Sequence, residues 1–281
     1  MRIAVLTDST ANLTDEQVQR HGITVVPLQL VFGDEAFSDG EDMSAEDFYQ
    51  RLATTDQVPT TSQPSAGAFV EAFERLLQTY DAVCAVLLSG KLSGTVRAAE
   101  SARAMIGDAR IAIHDSAMAD YALGLQALTA AQMVSQGATL EQIQAALPDV
   151  ARRSQAFIVV GSLENLRRGG RIGGAAALVG TLLQIKPVIT LRDGLVEVHE
   201  KVRTFHKALD AILEQLNRDV TARGVKHVRV IHSTTPEAAA AFAARVREML
   251  PEAELSVTPL APIIGVHTGT GCCGLIYLCE S

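Results

Sequence analysis

Short apolar runs recur along the first half of the chain, and each stops at small polar residues before a helical spacing resumes. RIAVLT (2–7) halts at Asp8-Ser9-Thr10, and Thr14-Asp-Glu-Gln17 then carries the capping-box pattern of a short helix. ITVVPLQLVF (23–32) reads as one β-branched run, Ser44 to Asp47 opens another helix, and TTDQVPTTSQPS (54–65) is a polar loop. A helix over about 66–79 leads into the strand DAVCAVLLS (81–89). LSGKLSGT (88–95) follows, then a helix to about 106, the strand ARIAIHDS (109–116) and two further helices. Strands alternating with helices at this spacing predict a mostly parallel sheet with helices on both faces. Three polar clusters, Asp8-Ser9-Thr10, Ser89 to Thr95 and Asp115-Ser116, fall where such strands end. Ligands bind at the C-terminal edge of parallel sheets, so the three clusters are expected to share one pocket.

After about residue 154 the pattern changes. AFIVVGS (156–162) is a strand, LENLRRGGRIGG (163–174) a basic turn, and QIKPVITLRDGLVEVHEKVR (184–203) a hairpin about Asp193-Gly194. A helix (205–222), the strand KHVRVIHS (226–233), a helix begun by Thr235-Pro236 and a strand-rich tail ending IIGVHTGTGCCGLIYLCE complete the chain. The expectation is an α/β protein of two domains, 1–154 with the parallel sheet and 155–281 with an antiparallel component.

Composition narrows the class. With 281 residues, 48% of them hydrophobic, the chain can bury substantial cores and is not disordered. A net charge of −8 and only 4% aromatic residues, with no Trp, argue against nucleic acid as partner. Cys84, Cys272, Cys273 and Cys279 form no C-x-x-C pair and read as reduced, buried thiols rather than a metal site. The apolar start is too short for a secretory signal. Two stretches lack formal charge over about a membrane span. Tyr121–Leu140 carries Gln126, Thr129, Gln132, Ser135 and Gln136, and Leu255–Cys279 is broken by Pro259, Pro262 and glycines. Neither suits a bilayer, and a cytoplasmic protein is expected.

The polar clusters exclude several chemistries. A nucleotide phosphate loop, G-x-x-x-x-G-K-[ST], would need glycine at Ala85 and a hydroxyl at Leu92. The hydrolase elbow G-x-S-x-G about Ser93 would need glycine at Lys91. His114, His232 and His267 all lie near strand ends, but their spacing specifies no base for Ser93. What remains at Ser93 is a helix start with hydroxyl donors, suited to a small anion such as a sugar phosphate or a carboxylate. GGRIGG reads either as a solvated basic turn or as an anion loop with Arg171 as its fork. His267, in the uncharged GVHTGTG, reads equally as a satisfied structural histidine or a ligand contact.

DSTANL (8–13), PTTSQPS (59–65), LSGKLSGT (88–95), DS (115–116), LRRGGRI (166–172), IKP (185–187), KVRT (201–204) and GVHTGTG (265–271), in this order, resemble the DegV family. Its bacterial members include the fatty-acid-binding FakB proteins. The family usually has proline where Thr270 stands, which alters the turn after His267 but keeps the histidine. The resemblance implies a two-domain carrier, without catalysis or cofactor, that holds one long-chain fatty acid in an interdomain tunnel. Thr61 and Ser93 would donate to the carboxylate, with Ser62 and the Gly94 backbone nearby and His267 approaching the same head group. A separate, FakA-like fatty acid kinase would phosphorylate that carboxylate. Arg171 and Arg203 would then serve the kinase contact or the incoming phosphate rather than the resting ligand. A lipid carrier is also expected to meet the membrane surface briefly. An enzyme or binding protein for a small phosphorylated metabolite, or a regulatory module that reports a bound lipid, are the rival readings.

Overall fold

A computed structural model describes residues 1–55, 57–178 and 185–281. The chain divides into two compact units, Met1–Ser44 with Gln57–Arg152, and Ala45–Asp56 with Arg153–Ser281.

The first unit is built on a parallel sheet of four strands, β1 (Ile3–Asp8), β2 (Ile23–Val26), β6 (Ala82–Leu87) and β7 (Ile111–Asp115), in the order β2-β1-β6-β7. β1 and β6 are buried at every position, as expected of central strands covered on both faces. Helices α3 (Ala66–Leu77) and α4 (Thr95–Ile106) pack against them. Phe69 and Phe73 of α3 meet Leu6, Val83 and Leu87, and Ala98, Ala99 and Ala102 of α4 fill the space beside them. Helix α5 (Tyr121–Ser135), one of the uncharged stretches, is buried nearly all round, and α6 (Leu140–Arg153) follows it. The predicted capping box opens α1 (Asp15–His21), with Thr14 and Gln17 bonding reciprocally.

The run 23–32 is two strands rather than one. Pro27 follows Val26, the last residue of β2, and residues Gln29–Phe32 form β3 in a different sheet. Proline has no N–H to continue a ladder, so the chain leaves the parallel sheet there. In that second, antiparallel sheet β3 lies between β4 (Glu35–Ser38) and β5 (Thr60–Ser62). Thus the polar loop of the sequence reading contains a strand, with Thr61 opposite Leu30.

The second unit holds the strands β8 (Ser154–Val159), β9 (Lys186–Arg192), β10 (Leu195–Val202), β11 (Val225–Ser233), β12 (Glu254–Pro259) and β13 (Cys272–Cys279). They form a six-stranded sheet in the order β10-β9-β8-β13-β11-β12, antiparallel throughout except between β11 and β12. Asp193 and Gly194, with φ of 49° and 78°, make the predicted two-residue hairpin turn, whose left-handed positions favour Asp and Gly. Helices α8 (Phe205–Arg223) and α9 (Pro236–Met249) cover a core of Ile212, Leu216, Val230, Phe242, Val246 and Tyr277.

Three expectations change here. The basic turn contains a short helix, α7 (Glu164–Arg168), and the tail contains α10 (Pro262–Thr268), with Pro262 in its first turn where its missing N–H has no helical partner to lose. Helix α2 (Ala45–Thr54), placed by a linear reading within 1–154, belongs to the second unit. Phe48 and Tyr49 of α2 pack on Gly265 of α10, and Tyr49 Oη donates to Leu260 O at 3.2 Å. All four cysteines are free and buried, and burial pushes the Cys84 and Cys273 thiols up to about 12. Among the described residues no helix is long and apolar enough to cross a membrane.

Candidate functional site

The winding of the parallel sheet reverses between β1 and β6, since β2 lies outside β1 on one side and β7 outside β6 on the other. Such a switch point opens a crevice at the C-terminal edge. All three polar clusters of the sequence lie at that edge, and Asp8 and Asp115 bond to Leu88 and Gly90 of the segment between them. Asp8 accepts from the N–H and hydroxyl of Thr10 through Oδ1, at 3.0 and 2.5 Å, and from the Leu88 N–H through Oδ2 at 2.7 Å, which ties β1 to the end of β6. Burial pushes the Asp8 carboxyl up, and these three hydrogen bonds oppose the rise. Asp115, at the end of β7, accepts from the N–H groups of Gly90 and Ala117. The segment after β6 is therefore held from both sides.

Within that segment the backbone makes one closed turn. Ser89 N–H donates to Met118 O at 2.9 Å, and Ser89 O accepts from Leu92 and Ser93 at 3.0 and 3.1 Å. This delivers Ser93, half-buried, to the start of α4. Its Oγ shares a hydrogen bond of 2.9 Å with Thr95 Oγ1, so its neighbour is another hydroxyl, while His114 Nε2 is paired with Gln126 Oε1 at 3.0 Å. An anion-holding hydroxyl fits this arrangement better than a nucleophile. The β5 segment reaches the same turn: the Gln63 carboxamide lies directly on Gly94. Thr61 is half-buried on β5, and Ser62 is exposed, its hydroxyl donating to Gln63 O at 3.4 Å. Thr61, Ser62, Ser93 and Gly94 thus belong to one locality of the first unit.

His267 and Arg171 form a second locality, in the second unit. His267 lies in the last turn of α10, and Gly169 packs so closely on its ring that a Cβ there would overlap Nδ1. Burial, with the Arg171 charge added, pulls the imidazole down to about 4, so it is neutral at physiological pH. Arg171 is exposed and donates from Nη1 to Gly169 O at 2.5 Å. Arg203 is exposed beside Thr204, the cap of α8.

Asp8 and Asp115 are recognisable in the sequence as strand-end residues, but their anchoring roles emerge only in the fold. The available signal was an aspartate at the end of an apolar run, where its carboxylate meets backbone N–H groups of the next turn. Gln63 and Asp39 carry no such mark in the sequence. The latter is buried beside the Ser9 hydroxyl and the carboxyls of Asp8 and Asp120.

Comparison with known proteins agrees with this architecture. A family model described as "Uncharacterised protein, DegV family" matches residues 2–280. A DegV domain-containing protein of Listeria innocua is 37% identical over 277 residues, covering 98% of each chain. The structure of a DegV family protein from Thermus thermophilus superposes with a TM-score of 0.91 at 35% identity, covering 99% of this chain and 100% of that one. That of DegV from Bacillus subtilis has the same TM-score at 34% identity, covering 99% of both. Both of these proteins bind fatty acids. A sequence match from end to end, with the same fold throughout, makes this chain a member of the DegV family.

Proposed function

We propose that this protein is a fatty-acid carrier without turnover of its own. It binds one long-chain fatty acid in a tunnel between its two domains, with Thr61 and Ser93 donating to the carboxylate, Ser62 and the Gly94 backbone beside them, and neutral His267 approaching the head group. A separate fatty acid kinase phosphorylates the presented carboxylate, with Arg171 and Arg203 serving the kinase contact or the incoming phosphate. Delivery involves a brief encounter with a membrane surface.

The observation that carries this reading is the Ser93 hydroxyl, held at the N-terminus of α4 by a turn anchored on Asp115 and Met118 at the switch point of the sheet. A carboxylate is well served there by hydroxyl donors and a helix N-terminus, without a formal cation. Support also comes from the fatty acids bound by the Thermus and Bacillus relatives. Each buried methylene contributes about 0.8 kcal/mol, so a sixteen-carbon chain supplies on the order of 10 kcal/mol before ordering costs.

Organic extraction of the purified protein followed by mass spectrometry should release fatty acid in about one-to-one ratio, or titration should load it. Ser93→Ala combined with Thr61→Ala should weaken palmitate binding by about tenfold or more, roughly 1.4 kcal/mol or above. Unchanged binding in that double variant would remove the assigned roles. Thermal stabilisation by sugar phosphates and not by fatty acids would overturn the reading in favour of a small phosphorylated metabolite.

A further inference from the structure

Gly94 has φ −80° and ψ 10°, a conformation open to every L-residue, so its backbone does not call for glycine. The surrounding space does. A Cβ at Gly94 would overlap Oε1 of Gln63 and come within 2.7 Å of its Cδ and 2.8 Å of its Nε2. The glycine thus allows a carboxamide to lie flat on the turn that carries Ser93. From the other side, Pro64 biases Gln63 to extended backbone, in line with β5 and only two residues beyond Thr61. Gln63 is exposed, so burial does not demand this contact. A half-turn about its last torsion presents either the amide N–H₂ or the carbonyl at the same place.

We propose that Gln63 is a specificity-determining residue of the head-group site: its amide donates to the fatty-acid carboxylate beside Ser93 and Thr61, and Gly94 is small so that it can. This rests on the fatty-acid reading above and adds to it a selection for ionised acids over neutral lipids of the same chain. The amide's hydrogen bond to an ionised carboxylate is charge-assisted and about twice as strong as a neutral one, whereas an alcohol exchanges only a neutral hydrogen bond with either end of the amide. Gln63→Glu keeps the shape but replaces the donor with a second negative charge, which opposes the ligand's own.

The test is titration of the full-length protein with palmitate and with hexadecanol, a neutral lipid of equal length. Gln63→Glu should weaken palmitate by about tenfold or more and change hexadecanol by less than about twofold. Gly94→Ala should displace the flexible amide and lower the palmitate-to-hexadecanol preference, and adding Gln63→Ala to it should cost little more than Gln63→Ala alone, since both act through one contact. Melting temperatures near that of the unaltered protein confirm that each variant is folded. Equal weakening of both lipids, or an unchanged preference in Gln63→Glu, overturns the proposal while leaving the carrier reading intact. Failure of the unaltered protein to bind palmitate at all overturns the carrier reading itself.

Discussion

Asp39 is only 4% exposed, and its Oδ2 has no hydrogen-bond partner among the described residues. Burial holds this carboxyl up at about 7 against its usual 3.8; the Ser9 hydroxyl opposes the rise, and the charges of Asp8 and Asp120 add to it. The folded state therefore keeps a proton that the unfolded chain gives up between about pH 4 and pH 7. Across that window the unfolded state binds fewer protons, so stability falls as pH rises, and it levels off above about 7. Asp39→Asn removes the titration. In denaturant unfolding at several pH values, the variant should gain on the unaltered protein from acid to alkaline pH, by at most about 4 kcal/mol in all. A stability difference that stays constant over the range would show that Asp39 does not carry the proton. His267 differs in kind: its imidazole is neutral at physiological pH, so in the proposed head-group role it would act as a hydrogen-bonding group and not as a cation.

At the scale of elements, the turn after β6 depends on the strand beside it. Asp115→Ala would remove the acceptor for the Gly90 and Ala117 N–H groups and free one side of the turn that delivers Ser93. Because Asp115 is exposed, water replaces much of the lost bonding, and stability should fall by only about 1 kcal/mol. Palmitate affinity should nonetheless drop roughly three- to tenfold, about 0.7 to 1.4 kcal/mol, since the hydroxyl loses its fixed place. Calorimetric melting with a parallel titration checks both, and unchanged affinity would separate Asp115 from the site. Elements of this kind were legible where one face or a whole strand is apolar, as in β1 and β6, and where turn chemistry is explicit, as at Asp193-Gly194. β4 and β5 were not, because Glu35–Ser38 and Thr60–Ser62 are short and lie at sheet edges with little apolar pattern. Helix α10 was hidden by its glycine, histidine and threonine. The Ser93 turn could be read from its hydroxyls and glycines, but the Gln63 contact could not: it joins residues thirty-one positions apart, and no local pattern marks it.

For the whole molecule, the two units divide the proposed work by chemistry. The hydroxyls assigned to the carboxylate are in the first unit, and His267, Arg171 and Arg203 are in the second. The assignment of α2 to the second unit reflects long-range packing of Phe48 and Tyr49, which a reading along the chain cannot see. The chain carries a net charge of −8, so exposed arginines stand out against an acidic background. Arg167 is already engaged, its Nη2 lying 2.7 Å from Glu164 Oε1, and Arg168 approaches the same carboxylate at 3.6 Å. Arg203, exposed beside Thr204, is therefore the sharper probe of the proposed kinase contact. Arg203→Glu should leave palmitate affinity within about twofold, because no acyl burial is lost. It should lower acyl phosphate formation by the kinase about tenfold or more, through repulsion at the docking step. Raising the salt concentration should narrow the gap between the two proteins, since exposed charges are screened within roughly 10 Å at 0.1 M. Assay of acyl phosphate with purified kinase, alongside direct lipid titration, separates the two effects. Equal loss of lipid binding would move Arg203 from the kinase contact to the ligand, and unchanged acyl phosphate formation would remove it from both.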